Sequence, residues 1–141
     1  MRRFFDTSVL VAAALEEHEH HERSFLAFSA ASPSSAFCAA HNLLEVYATL
    51  TRYPGKQRLN PDQALLVLSA IEHQLTTVAL ETREYFAAIR RFAAMGVTGG
   101  TIYDGLIAAC ALKAQADVVY TWNLAHFRLL GDDVARRLRM P

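Results

Sequence analysis

The chain has 141 residues, of which 52% are hydrophobic and 20% charged, and its 14 basic and 14 acidic side chains give a formal net charge of zero. That length predicts one domain, residues 1–141, with a sizeable core. The balanced charge excludes a strongly basic nucleic-acid binder but leaves room for a local basic groove. Cys38 and Cys110 both lie in apolar stretches, which favours free buried thiols in a reducing compartment.

The N-terminal segment shares one feature with secretory signal peptides. Arg2 and Arg3 precede an apolar stretch, but Asp6 interrupts that stretch and Glu16 and Glu17 follow it directly. We therefore interpret the segment as a strand followed by a helix. No stretch of the sequence is long and apolar enough to predict a transmembrane helix, so the predicted location is cytoplasmic.

Strands and helices alternate along the chain, which predicts an α/β protein with a mostly parallel central sheet. The predicted strands are Arg3–Asp6, Ser35–Cys38, Thr76–Ala79 and Val118–Thr121, and the tail after Leu129 has room for one more short strand. The predicted helices are Val9–Leu15, Arg23–Ala31, His41–Arg52, Pro61–Gln74, Thr82–Met95 and Thr101–Leu112. The start of the helix at Pro61 is the clearest boundary, because Asn60 is a good N-cap and Pro favours the first helical position.

The segment Thr101–Leu112 is almost wholly apolar and carries a single charge, Asp104. Apolar residues on every face predict a helix that is buried on most sides. Burying an ionised carboxylate is costly unless it is paired, hydrogen-bonded or bound to a metal. One interpretation is a variant capping box, in which Thr101 and Asp104 satisfy the first turn of the helix. The other is that Asp104 belongs to a site shared with distant residues.

Three further polar residues, Asp6, Asn123 and Glu45, occupy positions at which a site shared with Asp104 could form. Asp6 ends the first predicted strand and Asn123 follows the last clear one, and ligands bind at the carboxyl edge of open parallel sheets. Glu45 lies near the start of a helix that follows a strand, although a solvated surface position is the simpler interpretation for a Glu. Clustered carboxylates repel one another unless a cation shares the site. Oxygen ligands without cysteine suit Mg²⁺ or Mn²⁺, which can activate water for phosphoryl displacement.

Three histidines, His18, His20 and His21, lie close together in a polar segment. Their spacing differs from the His-Glu-x-x-His zinc pattern, because residue 22 is Glu. No cysteine or further histidine cluster completes a zinc shell. A solvated loop is therefore the favoured interpretation of this segment.

The sequence resembles PIN-domain ribonucleases over nearly its whole length, and most closely the VapC toxins of bacterial toxin–antitoxin pairs. The resemblance rests on Phe5–Ser8, the helical Glu45, Tyr103–Ala109 and Thr121–Phe127, which are similar to the family's four motifs in order and spacing. It implies a three-layer α/β/α fold around a mostly parallel sheet. It also implies endonucleolytic cleavage of RNA that depends on Mg²⁺ or Mn²⁺, a VapB-like antitoxin that covers the site, and a homodimer.

The resemblance also implies roles for individual residues. Asp6, Glu45 and Asp104 would hold the metal, directly or through water. The fourth position, often Asp in PIN domains, is Asn123 here, which keeps an oxygen but loses a charge and would orient a water or ligand. Thr7, Ser8 and Thr121 would supply hydrogen bonds behind the ligands, and their competing interpretation is helix capping and strand packing.

A basic segment follows the helix that carries Glu45. Arg52, Lys56 and Arg58 are predicted to line a groove for RNA backbone phosphates, and ordinary solvated charges are the competing interpretation.

Two other functions remain open from the sequence. A haloacid-dehalogenase-like phosphatase also places an Asp after its first strand, but it normally needs a second Asp two residues later, where this chain has Ser8. A PIN-like module that binds RNA or a protein without cleaving is compatible with every motif above.

Overall fold

The structure is a computed structural model that describes residues 1–141, and its centre is a five-stranded sheet in which every neighbouring pair of strands is parallel. The strands are β1 (Arg3–Phe5), β2 (Ala36–Ala39), β3 (Thr76–Val78), β4 (Val118–Tyr120) and β5 (Leu138–Arg139), arranged in the order β3-β2-β1-β4-β5. The prediction of a mostly parallel sheet is confirmed, and the tail does contain a short fifth strand.

Eight α-helices and one short 3-10 turn connect the strands. The helices are α1 (Thr7–Ala14), α2 (His21–Ser29), α3 (Ala40–Thr51), α4 (Pro61–Gln74), α5 (Thr82–Ala94), α6 (Thr101–Lys113), α7 (Leu124–Arg128) and α8 (Asp132–Ala135), and the 3-10 turn spans Gly55–Gln57. The bounds of the six helices predicted from the sequence lie within two residues of these. None of the helices combines the length and the hydropathy that crossing a bilayer requires.

Helices cover both faces of the sheet because both faces are apolar. In β1, Phe4 belongs to one buried cluster and Phe5 to another, and each has 0% of its surface exposed. Helices α5 to α8 contribute to the cluster of Phe4, whereas α1 to α4 contribute to the cluster of Phe5. The predicted three-layer α/β/α architecture is therefore confirmed.

The two cysteines are free and buried, as predicted, with Cys38 in the cluster of Phe5 and Cys110 in the cluster of Phe4. Burial raises the pKa of the Cys38 thiol to about 12 and that of Cys110 to about 11. Both thiols are therefore protonated near neutral pH and act as small apolar side chains.

Helix starts differ in how well the sequence predicts them. Asn60 caps α4 as expected, since its Oδ1 accepts a 2.9 Å hydrogen bond from the amide of Gln63. The capping box proposed for α6 is wrong: Gly100 is the N-cap and no side chain caps the helix. Thr101 already has helical backbone, so it does not occupy the position from which a Thr hydroxyl caps the first turn. The carboxylate of Asp104 is left for another role.

The order of the strands brings several strand ends together at one edge of the sheet. Phe5 pairs with Tyr120, and the amide of Asp6 donates a 3.0 Å hydrogen bond to the Tyr120 carbonyl. Residues that follow β1 and β4 are therefore neighbours. β2 ends beside them at Ala39 and continues directly into α3.

Gly105, the residue after Asp104, faces the Phe92 side chain of α5. A Cβ atom on Gly105 would lie 2.9 Å from Cδ2 and 3.0 Å from Cε2 of the Phe92 ring. Phe92 has 0% of its surface exposed, so its ring cannot swing into solvent. Glycine at this position therefore allows α6, and with it Asp104, to sit close to α5.

We predict that Gly105→Ala destabilises the protein. Alanine improves helix propensity by roughly 1 kcal/mol, but forcing a methyl group against a fixed ring costs about 1–3 kcal/mol. Urea unfolding of Gly105→Ala, Phe92→Leu and the double variant measures the effect. The double variant should be more stable than the sum of the single losses predicts, because the smaller side chain removes the clash. Strict additivity would contradict the proposed contact.

Candidate active site

A cleft of about 490 Å³ opens at the carboxyl edge of the sheet. Six residues proposed from the sequence line it: Asp6, Thr7, Ser8, Glu45, Asp104 and Asn123. A seventh, Thr121, is fully buried beneath it and makes hydrogen bonds to this group. The fold therefore gathers, around one cleft, side chains that are more than 100 positions apart in the sequence.

Asp6 forms the floor of the cleft, with only 3% of its surface exposed. Its Oδ2 atom accepts hydrogen bonds from Ser8 Oγ at 2.8 Å and from Thr121 Oγ1 at 2.9 Å. Oδ2 also accepts a longer bond from the Ser8 amide, so that Asp6 is the N-cap of α1 as well. Burial raises the pKa of Asp6 above its ordinary value, although the bonds from Ser8 and Thr121 oppose this. These three hydrogen bonds all meet Oδ2, which leaves Oδ1 available to a ligand.

The same two hydroxyls also hold the chain that leaves β4. Ser8 Oγ accepts a 3.0 Å bond from the amide of Trp122, and Thr121 Oγ1 accepts a 2.9 Å bond from the amide of Asn123. Each hydroxyl thus donates to the Asp6 carboxylate and accepts from the backbone of the neighbouring strand end. The capping and packing interpretation of Ser8 and Thr121 therefore holds together with their contact to Asp6.

Glu45 is fixed by a relay that starts at a buried amide. Asn42, with 0% of its surface exposed, accepts a 2.7 Å bond from the Ala39 amide and donates a 2.9 Å bond to Thr7 Oγ1. Thr7 Oγ1 in turn donates a 2.8 Å bond to Oε1 of Glu45. Glu45 is half-buried in the cleft rather than on a solvated face, and Asn42 was not identified from the sequence.

The carboxylates at the cleft influence one another's protonation. Burial raises the pKa of Glu45, and the charges of Asp6 and Asp104 raise it further, against the hydrogen bond of Thr7 and the charge of His41. Burial and the charge of Asp6 likewise raise the pKa of Asp104, against a smaller effect of His126. A cation in the cleft would relieve this crowding by favouring the charged forms.

The donor set fits an oxygen-loving divalent ion. The candidate residues Asp6, Glu45, Asp104 and Asn123 and the hydroxyls beside them supply carboxylate, amide and hydroxyl oxygens, which Mg²⁺ and Mn²⁺ prefer. No three His, Cys, Asp or Glu side chains of the chain are grouped closely enough to hold a metal ion between them. Mg²⁺ does not require such a cage, because it usually keeps several waters and takes one or two carboxylates.

The sequence profile of the PIN domain matches residues 3–129. The chain belongs to the PIN domain family. Among curated proteins it is similar to Ribonuclease VapC40 of Mycobacterium tuberculosis, with 33% identity over 114 residues, or 81% of each chain. This membership excludes the haloacid-dehalogenase-like phosphatase that the sequence had left open.

Solved structures show the same fold at low sequence identity. VapC20 of Mycobacterium tuberculosis, a toxin that cleaves the sarcin-ricin loop, matches with a TM-score of 0.70 at 14% identity, over 88% of this chain and 92% of that one. VapBC2 of Rickettsia felis, solved bound to a DNA fragment from its promoter, matches with a TM-score of 0.64 at 16% identity, over 99% and 98%. At such identities the likeness concerns the fold alone.

The remaining candidate residues of this PIN domain lie at or beyond the rim. Asn123 is exposed at the start of α7, and its side chain makes no capping hydrogen bond. Arg52, Lys56 and Arg58 are exposed, and none of them lines the cleft. Arg58 Nε donates a 2.9 Å bond to the carbonyl of Tyr53, a residue that does line it. The role of Arg52, Lys56 and Arg58 in binding RNA stays a prediction.

The cleft wall also includes residues that sequence reasoning missed: His18, Glu19, His20, Thr49, Tyr53 and Trp122. The histidines were interpreted as part of a solvated loop, yet His18 and His20 are only partly exposed, and the His20 ring stacks on Trp122 at a centroid distance of 3.8 Å. Thr49 follows Glu45 by one helical turn, so this position could have been found from helix periodicity.

The raised carboxyl pKa values predict a pH dependence of stability in the absence of metal. The pKa of Asp104 in the folded protein lies above 3.8, the ordinary pKa of Asp. At pH values above 3.8, the folded protein therefore holds the Asp104 proton more firmly than the unfolded chain does. Its free energy of unfolding therefore falls as the pH rises from there through the raised pKa. In EDTA, Asp104→Asn should gain most over wild type near neutral pH, and the gain should shrink as the pH falls toward 3.8.

Asp133 provides the control of opposite sign. Burial alone would raise its pKa, but the hydrogen bond and charge of Arg91 together lower it. Asp133→Asn should therefore lose stability near neutral pH and regain parity in acid. Thermal melts of both variants across this pH range make the comparison. A gain for Asp104→Asn that does not change with pH would contradict a raised pKa of Asp104 in the folded protein.

Proposed function

We propose that this PIN domain is a metal-dependent endoribonuclease and the toxin of a VapBC-type toxin–antitoxin pair. The observation that carries the proposal is the cleft itself, which Asp6, Glu45 and Asp104 line together. Burial raises the pKa values of Glu45 and Asp104, and the charge of Asp6 raises both further. The 33% identity to Ribonuclease VapC40 supports RNA as the substrate. The reaction is hydrolysis of a phosphodiester bond by activated water.

Asp6, Glu45 and Asp104 are the residues that would hold Mg²⁺ or Mn²⁺, directly or through water. Such an ion, when bound, supplies an activated water and positive charge for an in-line displacement at phosphorus. The rest of the site is supplied by the chain. Ser8 and Thr121 fix Oδ2 of Asp6, so the orientation of its free Oδ1 is set.

Two further side chains complete the proposed site. Thr7 donates a hydrogen bond to Oε1 of Glu45, which leaves Oε2 for the ion or its waters. Oε2 lies 4.0 Å from Nε2 of His41. The Asn123 amide orients a water or a phosphate oxygen at the rim, without adding a negative charge. The exposed cations Arg52, Lys56 and Arg58 hold the RNA backbone beyond the Tyr53 end of the cleft.

Two observations favour a second candidate function, a PIN-like module that binds RNA or a protein without cleaving it. Asn123 stands where many PIN domains have Asp, and the cleft contains no tight group of three metal-ligating side chains. Loss of one charge weakens the attraction for a divalent ion. A measurement of metal-dependent cleavage decides between the two candidates.

Asp104→Asn tests the proposed chemistry. Cleavage of RNA in Mn²⁺ should fall on the order of 100-fold or more, because even residues behind metal ligands cost 10- to 100-fold. The metal-free variant should be at least as stable as wild type, because neutralising one carboxylate relieves repulsion. The stabilisation that Mn²⁺ adds should shrink, since ligand-linked stability follows affinity.

Asp132→Asn is the matched control, because Asp132 is an exposed Asp in the first turn of α8 and does not line the cleft. It should cleave RNA at the wild-type rate. Melting curves with and without Mn²⁺ and an RNA cleavage assay are run on the three proteins together. An Asp104→Asn variant that cleaves RNA near the wild-type rate would sink the mechanism, and a wild type that never cleaves would favour the binding module.

An apolar groove supports the proposed antitoxin partner. It lies between α1, α2 and α4, has a volume of about 140 Å³, and is lined only by Leu10, Ala13, Ala14, Phe25, Phe28, Val67, Ala70 and Ile71. We assign this groove to the apolar face of a VapB-like antitoxin helix. Helix α1 joins the groove to the cleft, since Thr7, Ser8 and Val11 of the same helix line the cleft. A segment that leaves the groove along α1 would therefore reach the carboxylates.

A second apolar face supports the proposed homodimer. It lies on α5 and α6, encloses about 160 Å³, and is lined only by Tyr85, Ala88, Ile89, Phe92, Ile102, Tyr103 and Leu106. Several of these side chains are large and exposed, including Ile89 at 49%. Contiguous exposed apolar surface commonly marks a protein contact. We assign this face to a second copy of the chain.

Two charge insertions separate the partners. Ile89→Arg should shift sedimentation from dimer to monomer and leave co-purification with a co-expressed VapB-like antitoxin intact. Phe25→Arg, at a side chain that is 48% exposed in the other groove, should do the reverse. Each variant is thus the control for the other. A monomeric wild type at high concentration would contradict the dimer, and antitoxin binding that survives Phe25→Arg would contradict the groove assignment.

A further inference from the structure

An aromatic wall stands in the same cleft as the carboxylates, and the proposed hydrolysis gives it no role. The rings of His20 and Trp122 are stacked with their centroids 3.8 Å apart and an interplanar angle of 9°. Both residues line the cleft together with Asp6, Glu45 and Asp104. A flat ring pair beside a site for phosphodiester chemistry is a surface on which another flat ring can stack.

Trp122 is held firmly in position. Its indole Nε1 donates a 2.9 Å hydrogen bond to Oγ of Ser24, which is fully buried. Its backbone amide donates a 3.0 Å bond to Ser8 Oγ, and that hydroxyl donates to the Asp6 carboxylate. The indole is therefore placed relative to Asp6 through one shared hydroxyl. An aromatic ring fixed in this way loses little conformational entropy when it binds a ligand.

The His20 ring is partly accessible, with 36% of its side-chain surface exposed. The amide of His20 donates a 3.0 Å bond to Nδ1 of His18, and the two histidine rings lie 5.7 Å apart. The turn that carries both histidines is therefore folded on itself against the cleft. The imidazole of His20 presents an aromatic surface there, supported from behind by the indole.

The charged side chains around this wall are mostly acidic, although the Arg23 guanidinium lies 5.5 Å from the centroid of the Trp122 ring. Glu19 lines the cleft next to the histidines, and the three carboxylates lie across the same space. A phosphate would be repelled there unless a cation lay between them. A nucleobase is neutral and flat, and stacking of a base on an aromatic side chain strengthens binding by roughly 10- to 100-fold.

We propose that His20 and Trp122 form a stacking platform for one unpaired nucleobase of the substrate, next to the phosphate that is cleaved. This inference rests on the proposed function, because it requires RNA in the cleft. It also defines the substrate class further. A base within a duplex is already stacked on both sides, so the platform selects a nucleotide in a loop or single strand. Every base has a flat face, so the platform adds affinity without reading sequence.

A purely structural role is the competing explanation, since the stack also attaches the turn after α1 to the end of β4. Trp122 makes the two explanations separable, because it is the one tryptophan in the chain. Its fluorescence therefore reports only from this wall. A nucleobase that stacks here quenches the indole emission, whereas a turn that is merely held in place gives no response to RNA.

The experiment titrates wild-type protein with single-stranded hexaadenylate in EDTA, where metal-dependent cleavage is absent. The buffer contains about 1 M salt, in which the repulsion between carboxylates and phosphates is screened beyond about 3 Å. The comparison probe is a hexamer of the same sugar-phosphate backbone without bases, which carries the same charge, so repulsion from the carboxylates is equal for both. The expected result is saturable quenching by hexaadenylate and at least tenfold weaker binding of the abasic hexamer. Equal binding and equal quenching by the two probes, or no quenching by either, would overturn the platform.

His20→Ala, His20→Phe and His73→Ala complete the test. His20→Ala should weaken hexaadenylate binding by roughly 10-fold, whereas His20→Phe should retain it because Phe preserves a flat ring. His73→Ala is the control, since His73 is exposed on α4 and does not line the cleft. Thermal melts show whether His20→Ala still folds. If it does not, hexaadenylate binding by His20→Phe and the comparison with the abasic hexamer decide whether the platform exists. If His20→Phe binds as poorly as a folded His20→Ala, the platform is wrong.

The outcome is independent of the nuclease assay. Base-dependent quenching without cleavage in Mn²⁺ supports the platform and rejects the proposed hydrolysis. Cleavage in Mn²⁺ without base-dependent quenching supports the hydrolysis and rejects the platform.

Discussion

The buried carboxylate of Asp6 is the constraint on which the rest of the site depends. It lies at the end of the central strand with 3% of its surface exposed, where an ionised group is costly unless it is hydrogen-bonded or paired. The fold meets that cost with the hydroxyls of Ser8 and Thr121. Those hydroxyls also accept hydrogen bonds from backbone amides just after β4. One carboxylate therefore orders the start of α1, the junction of β1 with β4 and the floor of the cleft.

Much of this arrangement could be predicted from sequence because it follows from chain direction. A strand that ends in Asp6 and a strand followed by Asn123 must both open at the carboxyl edge if they are parallel. The Asp104 capping box shows where such reasoning fails. The Thr-x-x-Asp spacing is correct for a box, but the helix takes Gly100 as its N-cap, and spacing alone cannot determine which residue the backbone uses. Gly105 shows a second limit, because its contact with Phe92 depends on how two helices pack.

Residues that the sequence left unrecognised depend on contacts between distant parts of the chain. His20 meets Trp122 only because the turn after α1 folds over the edge of the sheet where β4 ends. No local pattern contains that contact. Asn42 is different, since a polar residue near the start of an apolar helix is a recognisable partner for the preceding turn. The side-chain oxygen of Asn42 does accept a hydrogen bond from the Ala39 amide. Its Nδ2 atom donates a hydrogen bond to Thr7 Oγ1, and Thr7 in turn donates one to Glu45.

The overall charge of the chain bears on how such a site could hold RNA. Basic and acidic side chains balance, and the cleft itself is lined by carboxylates, so the surface as a whole does not attract a polyanion. Attraction must then be local. In the proposed function, a divalent ion would offset most of the negative charge of Asp6, Glu45 and Asp104 where the reacting phosphate lies. Stacking on His20 and Trp122 would add affinity that does not depend on charge. Binding in which only Arg52, Lys56 and Arg58 contact backbone phosphates would release few counterions, so it would tolerate salt better than binding in a strongly basic groove does. Under the two proposals, a neutral chain of this kind would select RNA by an exposed base beside a metal-held phosphate, rather than by net charge.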